Sequence, residues 1–174
     1  MKTLVLVFHP DMAKSRANAA LMAAARPLSE DDGVTVRDEY ALYPDGKIDV
    51  KAEQRLIETH DRIVFQFPMY WYSAPALLKE WEDKVLEFGW AYGPGGEALK
   101  GKSIMVATTA GGPRTEYRDE DNGATMDEVL SPYRMMVRYT HAVWLKPFVV
   151  FESMELSDES LAEAARDYRQ ALLR

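Results

Sequence analysis

The chain contains no cysteine, and several other residue types or patterns are scarce. Without thiols, it has no disulfide bridge, no thiol nucleophile and no thiolate metal site. The three histidines, His9, His60 and His141, lie far apart and lack the spacing of metal ligands, so we expect no metal site. Positive charge is in deficit: the net charge is −7 and no basic cluster is visible, so we expect no nucleic-acid partner.

Long apolar runs are also absent. The N-terminal run over residues 3–9 is too short for a signal peptide or a membrane span, so it predicts a first buried strand and a cytoplasmic protein. No linker, repeat or low-complexity segment interrupts the 174 residues, which predicts a single domain over 1–174. The hydrophobic fraction of 47% argues against disorder.

Apolar runs that predict strands alternate with stretches of helical spacing. Strands are predicted at Thr3–His9, Val34–Asp38, Arg62–Phe67, Lys102–Thr108 and within Ala142–Glu152, where Pro147 implies a bend or an edge position. Helices are predicted from Ser15 to about Arg26, from a cap at Asp49 to about Thr59, over 74–88, from a cap at Ser131 to about Tyr139, and over 161–172 after a cap at Ser157 or Asp158. This alternation predicts a doubly wound α/β fold with a parallel sheet.

The most unusual segment follows the third predicted strand, where Pro68 and Met69 lead into Tyr70, Trp71 and Tyr72. In the strand order 2-1-3-4-5, ligands bind between strands one and three, at the carboxyl ends where this segment lies. Exposed aromatic area is costly in water, so three aromatics here predict cover by a flat ring system or a partner subunit. The alternative is a loop that packs on its own core.

The loop after the first strand offers Lys14, Ser15, Arg16 and Asn18 at the start of a helix. Free amides at a helix N-terminus favour a phosphate group, and His9 could add a hydrogen bond. Alternatively, Ser15 is only a helix cap. The loop lacks the glycine patterns of Rossmann folds and of P-loop proteins, which are therefore poorly supported.

The loop after the fourth strand, from Thr109 through Gly111 and Gly112 to Tyr117, is the third contribution. Adjacent glycines let backbone amides approach a ligand without obstruction by Cβ atoms. Such amides suit the pyrimidine edge of an isoalloxazine ring, where negative charge develops on reduction. An ordinary turn is the alternative.

Taken together, the three loops resemble those of the NAD(P)H quinone oxidoreductase family of flavodoxin-like FMN proteins. The resemblance is greatest to short bacterial members, including ancillary oxidoreductases of glutathione-gated potassium efflux systems. It covers about residues 3–153 and rests on His9 with Ser15-x-x-Asn18, the block from Phe65 to Ala76, Trp81-x-Asp83-x-Val85, Gly89–Gly93, Leu99–Lys102 and Thr108–Gly112 with Tyr117.

This resemblance implies a flavodoxin-like three-layer sandwich with five parallel strands in the order 2-1-3-4-5. It implies that FMN (or FAD) and NAD(P)H serve two-electron reduction of a quinone or similar acceptor in a homodimer. The implied phosphate and ribityl contacts are His9, Ser15, Arg16 and Asn18. The implied flavin contacts are Pro68, Met69, Tyr70, Trp71, Tyr72, Thr109, Gly111, Gly112 and Tyr117. Tyr117 would also border the substrate pocket and is the candidate catalytic residue.

The chain departs from the larger eukaryotic relatives at residues 118–123, which contain no histidine where those relatives place one, so we assign no proton relay. It also lacks their C-terminal extension. Two other functions stay open. A regulatory subunit could bind the cytosolic domain of a potassium efflux transporter at the inner membrane. A one-electron carrier like flavodoxin is the second, although the first loop lacks the phosphate loop typical of that family.

Overall fold

The structure is a computed structural model that describes residues 1–28, 33–118, 120 and 123–174. Its sheet has six parallel strands, and the order β2-β1-β3-β4-β5 confirms the predicted topology, with β6 also paired to β4. The strands are β1 Thr3–Val7, β2 Val34–Asp38, β3 Arg62–Pro68, β4 Ser103–Thr109, β5 Val143–Trp144 and β6 Phe148–Val150.

The sheet is covered on both faces, which explains why its central strands are almost wholly apolar. Leu4 and Leu6 of β1 point to one core, while Val5 and Val7 point to the other. Every residue of β1 and β3 is buried. The result is the predicted three-layer arrangement, with the sheet in the middle.

The predicted fifth strand is split in two by Pro147. Proline lacks an N–H group and cannot continue the ladder of hydrogen bonds. Val143–Trp144 therefore pairs with the start of β4, and Phe148–Val150 pairs with its end. The predicted bend is confirmed, and the described sheet has six strands rather than five because of it.

Helices cover the two faces of the sheet. They are α1 Ala17–Ala25, α2 Glu39–Leu42, α3 Val50–Glu58, α4 Ala76–Val85, α5 Met126–Val129, α6 Ser131–Tyr139 and α7 Asp158–Leu173. Side chains of α3, α4 and α6 fill one core, and those of α1 and α7 fill the other. None of these helices is long and apolar enough to cross a membrane, within the residues that the structure describes.

Two of the predicted helix caps are confirmed. The side chain of Asp49 accepts a hydrogen bond from the Ala52 N–H, and that of Ser157 accepts one from the Ser160 N–H, as cap residues do. The prediction of a cap at Ser131 is wrong, because α6 follows α5 directly and Ser131 is already helical. The helix predicted over 74–88, with Phe88 on its apolar face, is shorter than expected: it ends at Val85, and Phe88 is 69% exposed.

Candidate functional site

The aromatic segment after β3 is a tight turn that projects from the carboxyl edge of the sheet. Met69 N–H donates to the Thr109 carbonyl at 2.8 Å, which anchors the start of the turn to β4. Tyr70 and Ser73 then exchange backbone hydrogen bonds of 2.9 and 3.0 Å and leave Trp71 and Tyr72 at the tip. Trp71 is 94% exposed, and its neighbours Tyr70 and Tyr72 are about half exposed. The alternative that this loop packs on its own core is therefore wrong for these three side chains.

The backbone at this tip is strained. Trp71 and Tyr72 have φ values of 48° and 61°, in the left-handed region that glycine and asparagine occupy far more readily than aromatic residues. Each such residue costs on the order of 1–2 kcal/mol. Because the side chains are exposed, no core packing offsets this cost, which points to a role outside folding. The N–H groups of both residues are without a backbone partner in the described ranges.

The loop after β4 approaches the aromatic turn. The carbonyls of Gly112 and Ala110 accept backbone hydrogen bonds from the N–H groups of Glu152 and Ser153, so these carbonyls are turned toward the segment that follows β6. The N–H groups of Gly111 and Gly112 have no backbone partner among the described residues. Gly111 has an ordinary φ, and a Cβ built there would meet nothing within 4 Å. The protein's own packing therefore does not require glycine at position 111.

Tyr117 closes the third side of the same region. Met69, Trp71, Tyr72, Gly112, Glu116 and Tyr117 line a cavity of about 190 Å³. The hydroxyl of Tyr117 lies 3.6 Å from the Met69 Sδ, and its ring packs on Phe151 at 5.5 Å between centroids. Burial, with Tyr72 and Glu116 nearby, raises the pKa of the Tyr117 phenol, so it stays protonated at neutral pH.

The first loop places a helix start near the carboxyl ends of β3 and β4, to which Asn18 is hydrogen-bonded, although no residue of this loop lines the cavity. The Ser15 hydroxyl accepts the Asn18 N–H at 3.1 Å, so Ser15 does act as a local cap. The N–H groups of Arg16 and Ala17 make no backbone hydrogen bond within the described chain and remain available to an anion. The guanidinium of Arg16 is turned toward α7, where it pairs with the Asp158 carboxylate at 2.5 Å.

His9 ends the run that begins with β1 and is half-buried. Its Nδ1 accepts the Asp11 N–H at 3.1 Å, so the neutral ring carries its proton on Nε2. Burial lowers the pKa of His9, and this outweighs the opposite effect of Asp11 and Asp38. At neutral pH the ring therefore offers an N–H donor without a full positive charge.

Asn18 joins the first loop to the two central strands. Its Nδ2 donates to the Thr109 hydroxyl at 2.9 Å, and the Gln66 amide donates to the Asn18 carbonyl at 3.0 Å. All three residues are buried. The Gln66 Oε1 and the hydroxyl of Thr108 are buried without a partner in the described structure. Asn18 thus holds the start of α1 against β3 and β4 rather than pointing into open solvent.

Two residues of this site were missed by sequence reasoning. Gln66 is not among the predicted site residues, although a polar residue in an apolar strand is itself a signal. Glu116 brings a carboxylate oxygen to where a Cβ on Gly112 would lie, at 2.2 Å, and it lines the cavity. No sequence pattern singles it out. Of the segment 118–123, residues 119 and 121–122 lie outside the described residues.

Comparisons with known proteins agree with this fold. A protein-family model described as "Flavodoxin-like fold" matches residues 1–172. The uncharacterized NAD(P)H oxidoreductase YrkL of Bacillus subtilis is 42% identical over 98% of this chain and 99% of its own length. The glutathione-regulated potassium-efflux system ancillary protein KefF of an Enterobacter species is 42% identical over 98% of this chain and 94% of its own.

Solved structures give the same fold under differing names. A crystal structure described as a thermophilic tryptophan halogenase from Streptomycin violaceusniger is 46% identical, with a TM-score of 0.93 and 98% of each chain covered. General stress protein 14 from Treponema denticola, in complex with FMN, is 43% identical, with a TM-score of 0.94 over 99% of this chain and 98% of that one. An NADPH-quinone reductase from P. pentosaceus is 28% identical, with a TM-score of 0.86 over 99% and 98%.

Proposed function

Since this chain belongs to the flavodoxin-like-fold family, with relatives named NAD(P)H oxidoreductases, we propose that it binds FMN and reduces a quinone or similar acceptor with NAD(P)H. One observation supports this most directly. A strained, exposed aromatic turn, a loop with unpaired glycine amides and a protonated tyrosine surround one cavity at the carboxyl ends of β3 and β4, next to the switch point between β1 and β3. The FMN complex of a 43% identical structure gives independent support.

The residues present fit a flavin. Four unpaired backbone N–H groups, of Trp71, Tyr72, Gly111 and Gly112, lie on the two loops that flank the cavity. Donors of this kind suit a ring that gains negative charge on reduction. The space beside Gly111, where a Cβ would meet nothing, leaves room for a planar group to approach the backbone.

The phosphate fits the start of α1. The N–H groups of Arg16 and Ala17 and the Nε2–H of His9 are donors that the fold leaves unused, and the positive end of the helix dipole favours an anion. Ser15 and Asn18 hold this start in place through their mutual hydrogen bond and the bond from Asn18 to Thr109. We assign Arg16 a backbone contact only, since its side chain is paired with Asp158.

When bound, FMN would supply the chemistry, by accepting a hydride from NAD(P)H and passing two electrons to the acceptor. The protein's part is to position the reactants and to exclude water. Tyr117, protonated and in contact with Met69, borders the place where the nicotinamide and then the acceptor would lie, and it can donate a hydrogen bond to an acceptor oxygen. Because the nicotinamide and the acceptor would occupy the same place one after the other, we expect ping-pong kinetics.

The site also favours a homodimer. The cavity, at about 190 Å³, is smaller than the pockets that usually enclose a molecule of the size of FMN. Trp71, at the rim of this cavity, is 94% exposed. A second copy of the chain would cover the aromatic turn and complete the walls.

The test begins with purified protein. We expect a yellow preparation, or tight binding of added FMN, with a flavin spectrum that NAD(P)H bleaches and menadione restores, and parallel lines in initial-rate kinetics. Trp71→Ala should weaken FMN binding at least ten-fold, whereas Phe88→Ala, an exposed aromatic outside the cavity lining, serves as the matched control. Released flavin, identified by chromatography, distinguishes FMN from FAD.

A colourless protein that fails to bind added flavin would contradict the proposal. Intersecting lines would contradict the shared place for donor and acceptor. Chlorinated tryptophan formed from tryptophan and chloride, without quinone turnover, would instead favour the activity that the halogenase neighbour's name carries.

A regulatory role is the second candidate, because KefF is named an ancillary protein of a potassium-efflux system. The exposed acidic start of α7, with Asp158, Glu159 and Glu163, offers a charged face for such a partner. Co-purification with a transporter's cytosolic domain, lost on Glu159→Lys with Glu163→Lys but not on Trp71→Ala, would support it. No co-purification in the presence of FMN would remove it.

A further inference from the structure

A second and larger cavity lies at the opposite, amino-terminal end of the sheet. Its volume is about 590 Å³, within the range of about 300–1,000 Å³ that small-molecule sites occupy. Met105, Leu145, Pro147 and Phe148 give it apolar walls, between β4, the break in the edge strand and α7. β3 connects the two ends of the molecule: Arg62 lies at this cavity and Pro68 at the flavin edge, roughly 20 Å away at ~3.3 Å per residue.

Arg62 is the unusual residue of this cavity. It is only 6% exposed, and Nη1 donates to the carbonyls of Ala171 and Leu172 at 3.2 and 3.3 Å, in the last turn of α7. Its Nε is buried without a hydrogen-bond partner, and no carboxylate pairs with it among the residues that the structure describes. Two carbonyl dipoles compensate part of the charge, but a buried guanidinium normally has an anionic partner.

The rim of the cavity is also positive. Lys146 and Arg174 line it, are exposed, and form no ion pair within the described ranges. Asp167 is the one carboxylate of the lining, and Gln170 is neutral. Three cationic side chains therefore face one acid, in a chain whose net charge is −7. Chance placement of surface charge in an acidic chain would favour the opposite sign.

We propose that this cavity binds an amphipathic organic monoanion, a carboxylate with an apolar body. The carboxylate meets the guanidinium of Arg62, which lines the cavity and pairs with no carboxylate among the described residues. The apolar body lies on Phe148, Met105 and Leu145, while Lys146 and Arg174 close the rim. This site is separate from the proposed flavin site and does not depend on that function.

Octanoate is the probe, titrated into the full-length protein by calorimetry, with 1-octanol and octylamine as neutral and cationic counterparts. We expect octanoate to bind with 1:1 stoichiometry, at least ten-fold more tightly than either counterpart, and equally with or without saturating FMN. In ¹⁵N spectra the Arg62 Nε–H signal should shift on binding, because the guanidinium gains a carboxylate partner.

Arg62→Gln should weaken octanoate binding at least ten-fold, since it removes the charged hydrogen bond. If that variant misfolds by circular dichroism, two others decide. Lys146→Gln should weaken binding two- to five-fold, and Ala171→Trp, which fills the cavity, should abolish it. Arg169→Gln, an exposed arginine on α7 outside the lining, is the matched control and should change nothing.

Equal affinity for octanoate and 1-octanol would overturn the proposal, because the charge would then play no part. Loss of octanoate binding on saturation with FMN would also overturn it, by placing the probe in the other site. So would an absence of binding at millimolar octanoate, or unchanged affinity in both Ala171→Trp and Lys146→Gln.

Discussion

Trp81 and Trp71 are close in sequence and opposite in environment. Trp81 is fully buried, packs edge-on against Phe65 at 5.4 Å between centroids, and donates its indole N–H to Glu53 at 3.0 Å. Trp71 is 94% exposed on a strained backbone. The same residue type thus stabilises the fold in one place and costs stability in the other. Trp81 serves folding and Trp71 serves the proposed binding site, so we expect that each can be changed without affecting the other role.

The largest expected effect is on the buried side of this comparison. Trp81→Ala should lower the free energy of unfolding by roughly 3–5 kcal/mol, because it leaves a cavity beside Phe8 and Phe65 and removes a partner of buried Glu53. Trp71→Ala should stay within about 0.5 kcal/mol. Urea unfolding followed by circular dichroism measures both, and equal losses would remove the distinction.

The buried region should also respond to pH through Glu39. Burial, with Glu53 nearby, raises the carboxyl pKa from 4.5 to about 7 despite the ion pair with Arg37. The folded state therefore holds this proton more tightly than the unfolded state, and the stability that this group contributes is greatest below pH 4.5. Between pH 5 and 8 the free energy of unfolding should fall by roughly 2 kcal/mol from this group.

Glu39→Gln should flatten that slope, as measured by urea unfolding at several pH values. Glu82, a half-buried residue of α4, also has its pKa raised to about 7 by burial, so Glu82→Gln should remove a separate share of the slope. A slope that is unchanged in both variants would show that these carboxyls are ionised in the folded protein throughout the range.

The backbone strain in the exposed aromatic turn can be relieved by substitution. Asn and Gly are the residues that suit two successive left-handed positions in a hairpin turn. Replacing Trp71 by Asn and Tyr72 by Gly should raise the free energy of unfolding by about 1–2 kcal/mol and weaken FMN binding at least ten-fold. Urea unfolding and flavin titration give the two readouts. A more stable variant with unchanged FMN affinity would separate the strain from binding.

The smallest effect is expected at Phe88, which is 69% exposed and packs edge-on against Tyr92 at 5.8 Å. Phe88→Ala should cost about 0.5 kcal/mol or less and leave FMN affinity unchanged. The same two measurements apply. If Phe88→Ala lost as much FMN affinity as Trp71→Ala, the position of Trp71 at the cavity would not explain its effect on FMN binding.

Much of the fold could be predicted because each central strand is a largely apolar run and each of the five longer helices has a clear spacing. The four-residue helices α2 and α5 were not predicted, since they are too short to show one. Pro147 predicted the break in the edge strand, and Asp49 predicted a helix cap; the structure confirms both. The prediction of a cap at Ser131 is wrong because a Ser-Pro pair can also lie inside the first turn of a helix. Here the short helix α5 directly precedes α6 and leaves no room for a cap.

The site was less accessible to sequence reasoning. The three loops could be located, since strand order places their ends together. The positive φ values of Trp71 and Tyr72 could not be foreseen, because aromatic residues disfavour them. The pairing of Arg16 with Asp158 also follows from tertiary packing alone, as 142 positions separate the two residues.

That pairing has a consequence for how the protein is made. The start of α1, with the proposed phosphate donors, is held against α7 by Arg16 and Asp158 and by a shared core that includes Leu21, Tyr168 and Leu172. During synthesis β1 and α1 emerge first and α7 emerges last. The loop that carries the proposed phosphate donors therefore gains these contacts only after α7 has left the ribosome, and we expect any flavin to be bound after α7 has been synthesised.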